Sequence, residues 1–195
     1  MTALSPLEKV HKKGLFGNHY KKDEKEIIEI SEVNNLSLIH LTQYRRSKNN
    51  LKNLKIEGLE IPTENSCVTS NSQTRVLWNA PNAWLILSDK KNINNDLKKN
   101  FDITDFAITD ISHSRAIIQI KGLKTQEVLK KGSPINFDEF KTNKCIGTIF
   151  NGISVVINST SNNPNTFIIL TLRSFGESLY HHITDASLEF GYIGV

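Results

Sequence analysis

The stretch FIILTLRSFGESLYHHITDASLEFG at residues 167–191 decides the fold class. Its first six residues, Phe167–Leu172, have the apolar and β-branched character of a buried strand. From Ser174 onward apolar residues recur every three or four positions, which predicts an amphipathic helix closed by Gly191. Ser174 and Glu177 also have the spacing of a capping box. A strand followed directly by a long helix predicts mixed α and β structure.

Working outward, the elements form two similar runs in the order β-α-β-β-α-β. The predicted elements of the first run are a strand at 36–44, a helix at 47–56, a hairpin at 75–87, a helix at 92–101 and a strand at 106–111. Those of the second run are a strand at 115–121, a helix at 124–131, a hairpin at 144–158, the strand at 167–172 and the helix at 174–190. Corresponding elements lie about 80 residues apart. We therefore predict an α+β fold of two ferredoxin-like βαββαβ halves.

These halves set the predicted domain organisation. Residues 35–195 are expected to form a single α+β domain, with halves at about 35–111 and 112–195. Residues 1–34 are polar with scattered apolar positions, and they are predicted to form an extended N-terminal arm.

Composition excludes several classes of protein. Hydrophobic residues make up 38% and charged residues 23% of the 195 residues, which predicts a folded chain. There is no apolar run of about 18 residues and no apolar signal core, so we expect neither a membrane span nor secretion. Cys67 and Cys145 form no CxxC pair, which favours a reducing, cytoplasmic location.

The charge pattern leaves one alternative function open. The net charge is +4 and the isoelectric point about 9.0, but only 5 of the 24 basic residues are Arg. Residues 44–55 concentrate five positive charges without an acid, so a small basic RNA-binding protein is an alternative. Tyr44 alone does not make the stacking platform that single-stranded RNA requires.

Candidate catalytic and metal residues do not assemble into a recognisable site. On a strand, Asp110, Ser112 and Ser114 would share one face while His113 would face the other way, which separates serine from imidazole. We interpret Asp110 and Ser112 instead as side chains that satisfy backbone groups at a strand junction. The remaining histidines lack ligand spacing, and the glycines form no phosphate-binding motif.

Several short strings, in order, resemble the gamma subunits of heterotetrameric sarcosine oxidase. The strings are SPL at 5–7, LWNAPNAWL at 77–85, TDISHSR at 109–115, IKG at 120–122, EVLKKGSPIN at 127–136 and FIILTLRSF at 167–175. The resemblance covers most of residues 75–193. It implies the folate-binding fold of the glycine-cleavage aminomethyltransferase, which agrees with the paired halves inferred above.

The resemblance also implies a function. Such a complex oxidatively demethylates sarcosine to glycine, transfers the one-carbon unit to tetrahydrofolate and produces hydrogen peroxide. This chain would be a non-catalytic structural subunit with no cofactor of its own, while FAD, FMN, NAD, zinc and tetrahydrofolate would sit on other subunits. Its partners would be the alpha, beta and delta subunits, mainly the large alpha subunit, with no nucleic acid and no membrane. A free-standing folate-dependent one-carbon protein of the same fold is the alternative.

Five apolar residues are predicted to contact a partner. Four belong to the arm, where the apolar density is too low for a separate core, and the fifth flanks the turn of the first hairpin. They are Pro6, Leu7, Leu15, Phe16 and Trp84.

Overall fold

The computed structural model describes residues 5–20, 22, 23 and 26–195. The chain divides into two compact units. The central unit is Asn35–Ser112, and the split unit joins the residues up to Asn34 to His113–Val195. The division falls next to the predicted boundary between the halves, but it places the first 34 residues with the second half.

Strands dominate both units. The strands of the described residues are β1 (Gly14–Phe16), β2 (Ile28–Glu32), β3 (Ser37–Gln43), β4 (Lys55–Ile56), β5 (Leu59–Glu60), β6 (Val68–Ser70), β7 (Thr74–Ala80), β8 (Ala83–Ser88), β9 (Phe106–Asp110), β10 (Arg115–Lys121), β11 (Cys145–Phe150), β12 (Ile153–Asn162), β13 (Asn165–Leu172) and β14 (Tyr192–Gly194). The α-helices of the same residues are α1 (Ile93–Asn100), α2 (Thr125–Lys130) and α3 (Gly176–Ser187).

Both units have the strand order of a ferredoxin-like sheet. The central unit has the order β6-β7-β8-β3-β9, and the split unit has the order β1-β14-β2-β10-β13-β12-β11. The four strands of the motif are β3, β7, β8 and β9 in the central unit and β10, β12, β13 and β14 in the split unit. In each unit, the first strand of the motif pairs with the third. The fourth strand lies on the other side of the first; in the split unit, β2 is inserted between these two strands, β14 and β10. The predicted α+β class with two ferredoxin-like halves is confirmed.

Each unit has its own apolar core. In the split unit, alternate residues of the sheet, such as Ile118 and Ile169, pack with Leu179 and Ile183 of α3. In the central unit, Ile93 and Leu97 of α1 are buried in the second cluster. Apolar residues that repeat every 3.6 positions in a helix and every second position in a strand predict this arrangement, in which the apolar face of the helix packs on one face of the sheet.

The predicted extended arm is wrong for most of its described residues. β1 pairs with β14, and β2 pairs with both β14 and β10. Ile28 and Ile30 are fully buried while Glu29 lies between them, so β2 has the alternation of a half-buried strand. Residues 1–4, 21, 24 and 25 of the predicted arm lie outside the described residues.

The predicted helix at 47–56 is also wrong. The segment forms a polar loop, a 3-10 turn at Leu51–Asn53 and the start of a short strand. Ser47 Oγ accepts from the Asn49 N–H at 3.2 Å, and Asn50 Oδ1 accepts from the Lys52 N–H at 3.0 Å. These side chains satisfy backbone donors locally and so compete with helical hydrogen bonds.

The last helix begins later than predicted. Arg173–Phe175 form a 3-10 turn, and α3 begins at Gly176 without a side-chain cap, so the capping box is not formed. Leu179, Ile183 and Ala186 of the predicted stripe are buried as expected. The chain then adds β14, a strand that the sequence did not predict.

Candidate partner interface

A cleft of about 730 Å³ opens in the split unit at the beginning of α3. One wall is the turn at residues 5–9, and the other is the end of β13 with the first turn of α3. Its lining residues are Ser5, Pro6, Glu8, Lys9, Ser114, Leu172, Arg173, Ser174, Glu177 and Ser178.

The first wall is held in place by a carboxylate. Glu32 of β2 accepts a hydrogen bond from Ser5 Oγ, and its Oε1 accepts one from the Leu7 N–H at 3.2 Å. Leu7 is fully buried in the core of the split unit. The turn then closes with the His11 N–H donating to Leu7 O at 2.8 Å. A buried leucine and a carboxylate therefore fix this wall from both sides.

The second wall depends on the absence of a side chain at Gly176. A Cβ at that position would lie 2.8 Å from Ala116 Cβ and 3.4 Å from Leu7 Cδ2. Glycine therefore allows α3 to begin directly against the sheet and the first wall. The 3-10 turn before it leaves Leu172 44% exposed and Phe175 46% exposed. Two large apolar side chains thus stand on the surface beside the start of the helix.

The charges of the cleft are balanced. Glu8 and Glu177 carry negative charge, while Lys9 and Arg173 carry positive charge. Close by, burial lowers the pKa of the Arg115 guanidinium, whose Nη1 donates to Ser114 O at 3.4 Å. Neither histidine nor cysteine lines this cleft, and nowhere in the described residues do three His, Cys, Asp or Glu side chains form a group that could hold a metal. Mixed charges beside exposed apolar groups are suited to contact with another protein surface.

Two of the five predicted contact residues are buried within the chain, which corrects the prediction for them. Leu7 is 0% exposed in the core of the split unit, and Trp84 is 1% exposed in the core of the central unit. Trp84 Nε1 also donates to Pro62 O at 2.7 Å. Both side chains are already used to stabilise their own unit, so neither has surface to offer a partner.

The other three predicted contact residues reach the surface to different degrees. Pro6 lines the cleft. Leu15 of β1 is 49% exposed. Phe16 is partly buried and stacks on Tyr192, with ring centroids 5.1 Å apart. Their contact with a partner stays a prediction.

Leu172 and Phe175 were missed as surface residues by the sequence analysis. Phe175 fits the helical period of the buried stripe, so the sequence assigns it to the core. Gly176 argues against that assignment, because glycine is unfavourable in the interior of a helix but allows the backbone to pack closely against a neighbouring element.

The Asp110–Ser112 junction has the structural role that the sequence analysis gave it. Asp110 Oδ1 accepts from Ser112 Oγ at 2.6 Å and from the Ser112 N–H at 3.0 Å. Ser112 Oγ in turn accepts from the Leu38 N–H at 2.9 Å. The two side chains therefore satisfy backbone donors at the end of β9.

The basic stretch at 44–55 is a largely exposed loop. The Arg46 guanidinium donates to Thr104 O at 3.3 Å and lies 5.3 Å from the centre of the Tyr44 ring. Tyr44 is 37% exposed and is occupied by this contact. As for membranes, no helix among the described residues has both the length and the apolar character to cross one.

The comparisons with known proteins give one family match and two similar folds. The family model described as "sarcosine oxidase, gamma subunit family" matches residues 52–189. A solved chain of the heterotetrameric sarcosine oxidase from Corynebacterium sp. U-96 is similar, with a TM-score of 0.78 and 24% identity over 86% of this chain and 87% of that chain. The glycine cleavage system aminomethyltransferase T from Bartonella henselae is similar in fold, with a TM-score of 0.60 and 11% identity over 80% of this chain and 45% of that chain. No curated protein matches.

Proposed function

This chain belongs to the sarcosine oxidase gamma subunit family, and on that premise we propose that it is the gamma subunit of a heterotetrameric sarcosine oxidase. Its role in the assembly is structural and non-catalytic. The family model spans most of the chain, including strands and helices of both units. The fold of the chain from Corynebacterium sp. U-96 supports the proposal independently.

The proposed assembly oxidatively demethylates sarcosine to glycine. The electrons pass through flavin to oxygen, giving hydrogen peroxide, and the one-carbon unit passes to tetrahydrofolate. FAD, FMN, NAD, zinc and tetrahydrofolate belong to other subunits in this proposal. The partners are the alpha, beta and delta subunits, with the large alpha subunit as the main one.

One observation about the surface carries the structural role. The cleft at the start of α3 brings exposed Leu172 together with four balanced charges, and exposed Phe175 stands beside the cleft, outside its lining. Exposed apolar side chains next to charged ones are common at protein interfaces. We therefore propose that a partner subunit contacts this cleft.

Co-expression with the alpha, beta and delta subunits tests the proposal. A tag on this chain should retain the three other subunits together with their flavin absorption, whereas the chain purified alone should be colourless. Phe175→Ala should weaken retention about tenfold, as expected if this exposed aromatic side chain beside the cleft contacts the partner. Ile103→Ala is the matched control, because Ile103 is 81% exposed and belongs to the central unit. Retention that is equal for both variants would contradict the interface, and failure of the unaltered chain to retain any subunit would contradict the function.

The folate-dependent alternative has its own support in the fold. The likeness to aminomethyltransferase T covers 80% of this chain. Retention of the isolated chain on folate-agarose, with release by free tetrahydrofolate, would favour that alternative. For the RNA-binding alternative, the five exposed cations of the loop at 44–55 should give a gel shift that weakens as salt is raised.

A further inference from the structure

The two edges of the sheet in the split unit are very different. β1 at one edge has three residues, begins at a glycine with a positive φ and follows Lys12 and Lys13. Short edge strands and nearby lysines are common protections against pairing with another chain. β11 at the other edge has six residues, CIGTIF, with no charge and no proline. This edge also has a lysine beside it, Lys144, but it is twice as long as β1.

The turn after β11 fixes which of its backbone groups point outward. Asn151 and Gly152 have φ values of 46° and 82°, as in a two-residue type I′ turn. Phe150 and Ile153, which flank this turn, are therefore a hydrogen-bonded pair. Pairs alternate along an antiparallel ladder, so Gly147 and Ile149 direct their N–H and C=O groups away from β12. Gly147 and Ile149 thus present four backbone groups at the open edge.

The surroundings of these groups are accessible. Gly147 is exposed, and a Cβ there would meet no atom within 4 Å. Ile149 is 48% exposed. Beyond the end of the strand, the Asn151 N–H donates to Gly132 O at 2.9 Å, so the chain itself bonds to this edge at the turn. A second extended backbone could continue that pattern along Ile149 and Gly147.

We propose that β11 is a docking edge, to which one extended segment of another subunit adds as an eighth strand. This inference rests on the proposed function, because it takes the partner from the same assembly. The recognition is by main-chain hydrogen bonds at Gly147 and Ile149, which is the chemistry of strand addition. The occupant is a β-forming segment with an apolar side chain beside Ile149.

The charges favour another subunit over a second copy of this chain. Lys144 directly precedes β11, Asp138, Glu139 and Lys141 lie farther back in the loop, and the turn at the other end of the strand is neutral. The whole chain carries a net charge of +4, which opposes association of two copies. A partner segment with an acidic residue where it passes Lys144 gains attraction instead. The proposal therefore includes an acid at that end of the added strand.

A pair of substitutions at Gly147 tests the edge in the co-expressed assembly. Gly147→Pro removes one outward N–H that makes no bond to β12, whereas Gly147→Ala keeps it and meets open space. We expect Gly147→Pro to lower retention of the other subunits about tenfold or more, because the partner's carbonyl is left unpaired. The Gly147→Ala variant should retain the other subunits as well as the unaltered chain does. Retention of the proline variant at the unaltered level would overturn the proposal.

Amide hydrogen exchange tests the same edge without any substitution. The amides of Gly147 and Ile149 should exchange fast in the isolated chain and at least about tenfold more slowly in the assembly. The Thr148 amide, which faces β12 in the ladder, should be slow in both and is the internal control. Fast exchange at Gly147 and Ile149 in a fully assembled complex would overturn the docking edge alone. Protection that rises with the concentration of the isolated chain would show a second copy as occupant and overturn the choice of partner. Failure of the unaltered chain to assemble would overturn this inference and the proposed function together.

Discussion

Leu7→Ala decides whether the first residues belong to the core. Leu7 is 0% exposed and packs in the cluster of the split unit, next to Gly176 of α3. The substitution removes three buried carbon atoms, which corresponds to about 2.4 kcal/mol at about 0.8 kcal/mol each. The cavity that remains adds to this, so the expected loss in the free energy of unfolding is about 3 to 5 kcal/mol. For a chain of this length, such a loss lowers Tm by about 6 to 20 °C.

The measurement is urea denaturation and thermal unfolding of the isolated chain. Leu15→Ala is the matched control, because it makes the same chemical change in β1 at a side chain that is 49% exposed. The control should lower the free energy of unfolding by about 1 kcal/mol or less, since much of its apolar surface is already in water. If Leu7→Ala unfolds at the same midpoint as Leu15→Ala, the burial of Leu7 in the core is refuted.

Two further predictions concern buried polar groups. Trp84→Phe should lower the free energy of unfolding by about 1 to 3 kcal/mol, because Pro62 O loses the donor at 2.7 Å and stays buried; an unchanged urea midpoint would contradict this. Burial raises the pKa of Tyr180, and the neighbouring Tyr192 adds to the effect; burial also raises the pKa of Tyr192. The stability from these phenols is fully present below their unfolded pKa of about 10 and is lost as pH rises through the raised pKa. Tm measured between neutral and strongly alkaline pH should therefore fall above about pH 10. The fall of Tm with pH should be less steep in the Tyr180→Phe variant. An equally steep fall in both proteins would contradict the raised pKa of Tyr180.

The sequence predicted correctly the elements that depend only on the pattern of apolar, polar and turn residues within one short segment. The apolar run of β10 and the hairpin of β11 and β12 lie where the sequence placed them. β2 was missed because its alternation of Ile28 and Ile30 with polar residues is short and lies in a highly charged segment. Its position between β14 and β10 depends on residues far away along the chain, which no local pattern reports.

The candidate interface was predictable only in part. Pro6 lines the cleft and its contact with a partner stays a prediction, but Leu7 and Trp84 are buried within their own units. An apolar residue in a polar segment can face either its own core or another chain, and the sequence alone does not distinguish the two. Phe175 shows the opposite error, since the sequence assigned it to the core and the 3-10 turn before Gly176 leaves it 46% exposed.

The insertion of β2 beside β14 has a consequence for biosynthesis. All strands of the central unit are made before β10–β14, so that unit can fold during translation. The sheet of the split unit instead needs Tyr192–Gly194, which come after all the other strands of the described residues, to fill the gap between β1 and β2. Until then β1 and β2 lack β14 as a partner, and a chaperone that binds extended nascent segments would find its targets at Gly14–Phe16 and Ile28–Glu32.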